Sequence, residues 1–359
     1  MKLAMNVSQS YKAVANNNIG IKNQRNSNIK LLRIISMFMV LGLHVNFMAI
    51  GEPSTAETIS VPVSTFFRIF FHQSFNIAVD LFVMISGWYS IKFSLRGMCK
   101  FLFQCLFIIS MLYVIGLFIG LATLSGREIL ECFLLAPGSA WFCKSYLALF
   151  IIAPVLNTFC EKASEKQLRM VLVYFYIYQT VFGSLTMSDP AIKAGYSTFS
   201  FIGLYLLARY FSLYGQRFYK YAWIVFILST VGSVLWFYLP CRFGVMRISY
   251  MGALYTSPLC ILSALALLTA VIRTRPRYSK LINWIASSCF AVFLFHICNT
   301  WTLELFVNTS KSIYYNYTGI IYITIITIWM IIVFMSGIFI DQLRKPFWSI
   351  IDKHFFNPK

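Results

Sequence analysis

The chain has 359 residues, of which 59% are apolar and only 11% charged, with 35 phenylalanines. A soluble domain carries about 25% charged residues, so this composition excludes a soluble enzyme, a disordered chain and a disulfide-stapled secreted domain. The formal net charge of +19 would suggest nucleic acid in a soluble protein; here it reads as loop charge that orients a membrane protein, with membrane lipids and no nucleic acid as partners.

Residues 1–28 form a polar, Asn-rich lead with no apolar core, which predicts a cytoplasmic N-terminus and no cleaved signal. Ten apolar runs near spanning length follow, at 30–50, 66–91, 101–122, 140–159, 169–187, 196–215, 222–240, 254–272, 282–305 and 318–340. The predicted fold is all-α: a polytopic membrane domain of ten transmembrane helices over 29–340, both termini cytoplasmic, with a basic cytoplasmic tail over 341–359. Arg and Lys collect on the cytoplasmic side of membranes. They crowd the lead (Lys2, Lys12, Lys22, Arg25, Lys30, Arg33) and every second loop after it, through to Arg344, Lys345, Lys353 and Lys359. Only Arg68, Arg127, Lys193, Arg242, Arg247 and Lys311 fall on the opposite side, with Lys144 inside a helix. The nine cysteines include no C-x-x-C pair, so neither a metal site nor a disulfide framework is expected.

Ionisable side chains inside spans are costly and mark sites or pathways. His44, His72 and His296 lie in or at the edge of apolar runs, together with Asp80. Arg68, His72, Asn76 and Asp80 stand four apart, which lays them on one helical face as a polar stripe from the outer rim inward. At a rise of about 1.5 Å per residue, His44 lies roughly 16 Å from Arg33, Asp80 roughly 18 Å from Lys92, and His296 roughly 18 Å from Trp284. Each residue also has an ordinary reading. A histidine in a span is often bonded to a neighbouring backbone, and Arg68 and His72 suit a wet helix end. A carboxylate at the depth of Asp80 must be paired, protonated or facing water.

The first span contains Arg33-Ile-Ile-Ser-Met-Phe-Met-Val-Leu-Gly-Leu-His44, an arginine followed after ten residues by histidine, and the second ends Asp80-Leu-Phe-Val-Met-Ile-Ser86-Gly87-Trp88. Trp141-Phe142 with Tyr146, Pro154 and Asn157, and then Ser287 to His296, follow in order. These segments resemble the integral-membrane acyltransferase 3 family, the O-antigen and cell-surface polysaccharide O-acetyltransferases. The resemblance departs at Lys30, where members carry an acidic residue, and at Arg96 and Lys100, where Cys99 takes the usual place of a second arginine.

The resemblance implies transfer of an acetyl or related acyl group from acetyl-CoA, used from the cytoplasm, to a hydroxyl of a cell-surface glycan or lipid-linked sugar, at the inner (plasma) membrane. Histidine suits the base, because its ordinary pKa lies near neutrality. The expected roles are His44 as base or acylated intermediate, Asp80 as the group that orients it, Arg33, Arg96 and Lys100 for the donor's phosphates, and Arg68, His72, Asn76 and His296 along the acceptor's path. Ser86-Gly87 reads as helix packing, with a serine nucleophile as the alternative. Trp141 and Tyr146 read as interfacial belt residues or as sugar-stacking platforms. The main rival is a proton-coupled transporter or flippase using the same His and Asp as a relay. A polysaccharide polymerase is a third reading, disfavoured by the short loops.

Overall fold

The computed structural model describes residues 27–136 and 140–356. Nearly all of the N-terminal lead, with Lys2, Lys12, Lys22 and Arg25, and the tail's Lys359 lie outside the described residues. Among those described there is no strand. The helices run α1 (Ser27–His44), α2 (Thr55–Ser60), α3 (Pro62–Asn76), α4 (Ala78–Tyr89), α5 (Leu95–Phe118) and α6 (Gly126–Cys132). They continue through α7 (Trp141–Lys162), α8 (Glu165–Tyr178), α9 (Thr198–Tyr214), α10 (Ala222–Arg242) and α11 (Met246–Ala253). The last are α12 (Pro258–Ile272), α13 (Lys280–Ala286), α14 (Cys289–Ile297), α15 (Thr300–Asn316) and α16 (Gly319–Phe355).

Nine helical stretches among the described residues are long and apolar enough to cross a membrane. One of them, Thr198–Arg242, is 45 residues long, far more than the ~20 that cross a bilayer. It doubles back at the tight turn Gly215–Tyr221. Arg209, late in α9, donates to the Trp88 carbonyl, and Tyr219 in the turn packs on the Trp88 ring, whereas Arg242 at the far end of α10 reaches the Thr58 carbonyl. Counted as two passes, this stretch brings the total to the ten read from hydropathy.

The second run forms one candidate span, Pro62–Tyr89, in which a single turn residue, Ile77, separates α3 from α4. Two expectations need correction. The ninth does not run on to 305: the backbone of Asn299 is extended and its amide is spent on the Ile109 carbonyl, so α14 stops and the more polar α15 starts afresh. The tenth passes through position 340 without a break. Asp341 and Arg344 are buried, joined at 2.7 Å and tied by Gln104 to α5, so the start of the basic tail is packed helix.

α1 packs against α3, α4, α12, α13, α14 and α16, and α4 against α1, α9 and α12, so these two form the centre. With no water to squeeze out between helices, close packing and small residues hold a membrane bundle together. A Cβ on Gly87 would stand 2.5 Å from the Tyr205 carbonyl oxygen and 2.8 Å from its Cα, so α4 and α9 meet at that glycine. Ser86 bonds Tyr146 (2.9 Å) and the Phe82 carbonyl, as a packing residue does. On α10, Ile224, Leu228 and Leu235 are exposed toward lipid, while Ser229, Thr230 and Ser233 face inward onto Ser263 of α12 and Gln73 of α3.

Candidate active site

His44 is the last residue of α1, and the chain widens at once into a π-helical turn, Val45–Ile50. Such widened turns recur at functional sites because they shift side chains off the regular helical grid. The His44 Nδ1 lies 2.8 Å from Nε2 of His296 on α14, and His296 Nδ1 lies 2.6 Å from the Val292 carbonyl. That carbonyl can only accept, so in the neutral pair His296 carries its proton on Nδ1 and offers a lone pair at Nε2. His44 must then donate from Nδ1, which leaves the lone pair on its own Nε2. That nitrogen bonds no described residue. The distance-based reading of the sequence put these two histidines at similar depth; the structure puts them in contact.

His44 borders a cavity of about 610 Å³ whose lining also includes Glu52, His72, Asn76, Trp141 and Tyr196. Phe82, Phe142, Phe290 and Phe293 give it an apolar wall. Phe142 and Tyr146 stack at 5.8 Å and Phe290 and Phe293 at 6.0 Å, so the wall is a continuous aromatic surface.

The other expected residues divide sharply. Asp80 does not reach His44. It is buried one layer back, where the Cys260 thiol donates to its Oδ2 (3.7 Å) and the Tyr176 hydroxyl lies nearby with no hydrogen-bond partner of its own. Asn76 is beside it, donating to the Ala253 carbonyl (2.7 Å) while also bordering the cavity. The turn residue Ile77 separates Asp80, on α4, from the other three members of the stripe, on α3. His72 borders the cavity; Arg68 does not. Arg68 is engaged by Glu57 at 2.9 Å and by the Gly51 carbonyl.

Toward the opposite end, Arg33 sits near Tyr89 and Cys289, and its guanidinium bonds no described residue. Arg96 is held by Asp352 through two bonds of 2.7 and 2.6 Å. Lys100 is exposed. Sequence reasoning missed two residues. Arg209, read only as loop charge, approaches the Trp88-Tyr89 end of α4 with its Nε buried and unpartnered. Glu52, read as an external charge, borders the cavity; burial pushes its carboxyl above the ordinary range, against the pull of Arg68.

Among the described residues, nine helical stretches long and apolar enough to cross a membrane, one of them doubled back, enclose a histidine-lined cavity, which defines a membrane-embedded protein with a built polar site. A family model described as an acyltransferase domain, that of the acyltransferase 3 family, matches residues 26–339, and the chain belongs to this family. Comparison with curated proteins and with solved structures finds no match.

Proposed function

We propose that this membrane acyltransferase moves an acetyl or related acyl group from cytoplasmic acyl-CoA to a hydroxyl of a cell-envelope glycan or lipid-linked sugar, in the inner (plasma) membrane with both termini cytoplasmic. The observation that carries the reading is the ordered chain from His44 through His296 to the Val292 carbonyl, which leaves a basic nitrogen on the cavity side of α1.

The chemistry follows from that nitrogen. His44 Nε2 takes the proton of the acceptor hydroxyl as its oxygen bonds to the acyl carbon. The carbon–sulfur bond of the thioester breaks, and the proton passes from His44 to the departing sulfur, so base and acid are one imidazole used twice. His296 holds that ring by accepting from Nδ1–H, and stabilises the imidazolium as the positioning carboxylate of a triad does, with smaller electrostatic effect because it is neutral. Asp80 has no part in this chain. The aromatic wall suits the uncharged arm of the donor. Arg33 suits its phosphates, since a guanidinium that bonds no described residue is free to pair with an anion, and the unpaired Nε of Arg209, whose Nη1 is held by the Trp88 carbonyl, stands at the same end of α4. Lys100 lies free at the same side, whereas Arg96 would first have to leave Asp352. His72 and Asn76 border the route of the acceptor.

The test is label transfer from radioactive acetyl-CoA into envelope glycan by cells or membranes carrying the chain. Wild type incorporates label and His44→Ala, inserted normally, does not. Full activity in that variant removes His44 from the mechanism, and no incorporation by the wild type favours a transporter. Charge reversal at Arg33 is expected to raise the KM for acetyl-CoA; an unchanged KM argues against its donor role.

A further inference from the structure

The outer part of the cavity contains a carboxylate that the mechanism above does not use. Glu52 borders the cavity, and its Oε2 is buried without a hydrogen-bond partner. A buried polar atom left unpaired is costly, the more so when charged, so it calls for an explanation. The surroundings are built rather than incidental. Gly51, at φ +93°, makes a turn that a side-chain-bearing residue rarely adopts. Its carbonyl is taken by Arg68, which is fixed in turn by Glu57. The Glu57 carboxylate and the Ser54 hydroxyl close a reciprocal cap at the start of α2, and the Cys241 thiol reaches the Pro53 carbonyl. The short segment bearing Glu52 is thus held on both sides.

Aromatic rings share this part of the cavity. Tyr196 and Tyr250 lie close enough to Glu52 to feel its charge. Trp141 meets Tyr196 edge-on at 4.6 Å, and Tyr196 meets Tyr255 at 5.0 Å. Amphipathic rings beside a carboxylate that lacks donors suit a ligand with apolar C–H faces and several hydroxyls. A cationic ligand fits less well: Arg68 already offsets the carboxylate's charge, and the rings meet at steep angles instead of forming a box around one point.

We propose that Glu52 is an acceptor-binding residue: it accepts hydrogen bonds from hydroxyls of a polyhydroxylated, sugar-like acceptor lying against Trp141, Tyr196 and Tyr250, while a further hydroxyl faces His44. The inference rests on the acyl-transfer reading for what happens at His44, but the binding itself does not require chemistry.

Binding is therefore read first, without donor, as saturable retention of radiolabelled methyl β-D-glucopyranoside by the full chain in lipid nanodiscs. Wild type is expected to bind, Glu52→Gln to bind at least about tenfold more weakly through loss of charge-assisted hydrogen bonds, and Glu52→Asp to recover part of the loss. Cyclohexylmethanol, with one hydroxyl, is expected to compete poorly, and equally so against wild type and Glu52→Gln. No saturable binding by wild type, or equal binding by the folded Glu52→Gln protein, overturns the proposal. Loss in both Glu52→Gln and Glu52→Asp with unchanged melting temperature supports a contact needing the full side-chain length. Acetyl-CoA is then added. Binding that depends on Glu52 with no transfer to the sugar counts against the His44 reaction and leaves the Glu52 assignment standing.

Discussion

Two buried polar clusters lie within the same bundle, and they differ in what they leave free. Around Asp80, the Cys260 thiol, the Asn76 amide and the Tyr176 hydroxyl crowd behind the cavity wall. Around His44, the chain through His296 to the Val292 carbonyl uses every nitrogen but one, and the remaining one belongs to a ring that borders the cavity. Asp80 is the more conspicuous residue and the less available one. Formal charge at depth marks a group the fold must accommodate; an unspent lone pair beside open space marks a group that can react.

The largest effect is expected for His44→Ala. Loss of general acid–base catalysis should lower kcat by about 10²–10⁴-fold with insertion intact, and a smaller loss than that of Asp80→Asn would reverse the comparison. Next comes His296→Ala, which removes the acceptor for His44 Nδ1–H and leaves the ring free to turn. A fall in kcat of about 10²-fold with KM nearly unchanged is expected, and partial rescue by His296→Gln, whose side-chain oxygen can accept, would separate positioning from packing. Gly337→Ala tests the same chain from behind. A Cβ there would stand 2.6 Å from the Cα of Val292, so α14 must shift, at about 1–3 kcal/mol for overpacking. A lower melting temperature with reduced kcat is expected, and an unchanged kcat would show that the Val292 carbonyl need not be held tightly. The smallest effect on turnover belongs to Asp80→Asn, which keeps the shape and an acceptor for the Cys260 thiol. It should leave kcat within about twofold, and any change should appear as stability on the order of 1 kcal/mol.

The membrane-spanning helices were legible because each one needs about 20 apolar residues in a row, and such runs survive inspection without any knowledge of neighbours. His44 was legible through its fixed spacing from Arg33 on a single helix. The partner of His44 was not. Rise per residue gives depth along a helix but says nothing of which way a side chain faces across the bundle. The same arithmetic placed Asp80 and His296 alike, and only packing of α14 against α1 decided between them. The end of α14 was missed because Asn299 is a weak breaker, and its effect depends on finding the Ile109 carbonyl. Glu52 left no pattern in the sequence at all: its position over the cavity comes from the Gly51 turn and from Arg68, a guanidinium that the stripe of four had assigned to the route itself.

The bond between His44 and His296 joins residues 252 positions apart, and Ser27 is likewise tied to Asn283 across a separation of 256. A nascent chain therefore carries one histidine of the pair on α1 long before α14 brings in the other. Any product truncated before α14 would lack His296, and with it the acceptor that holds the His44 ring in place.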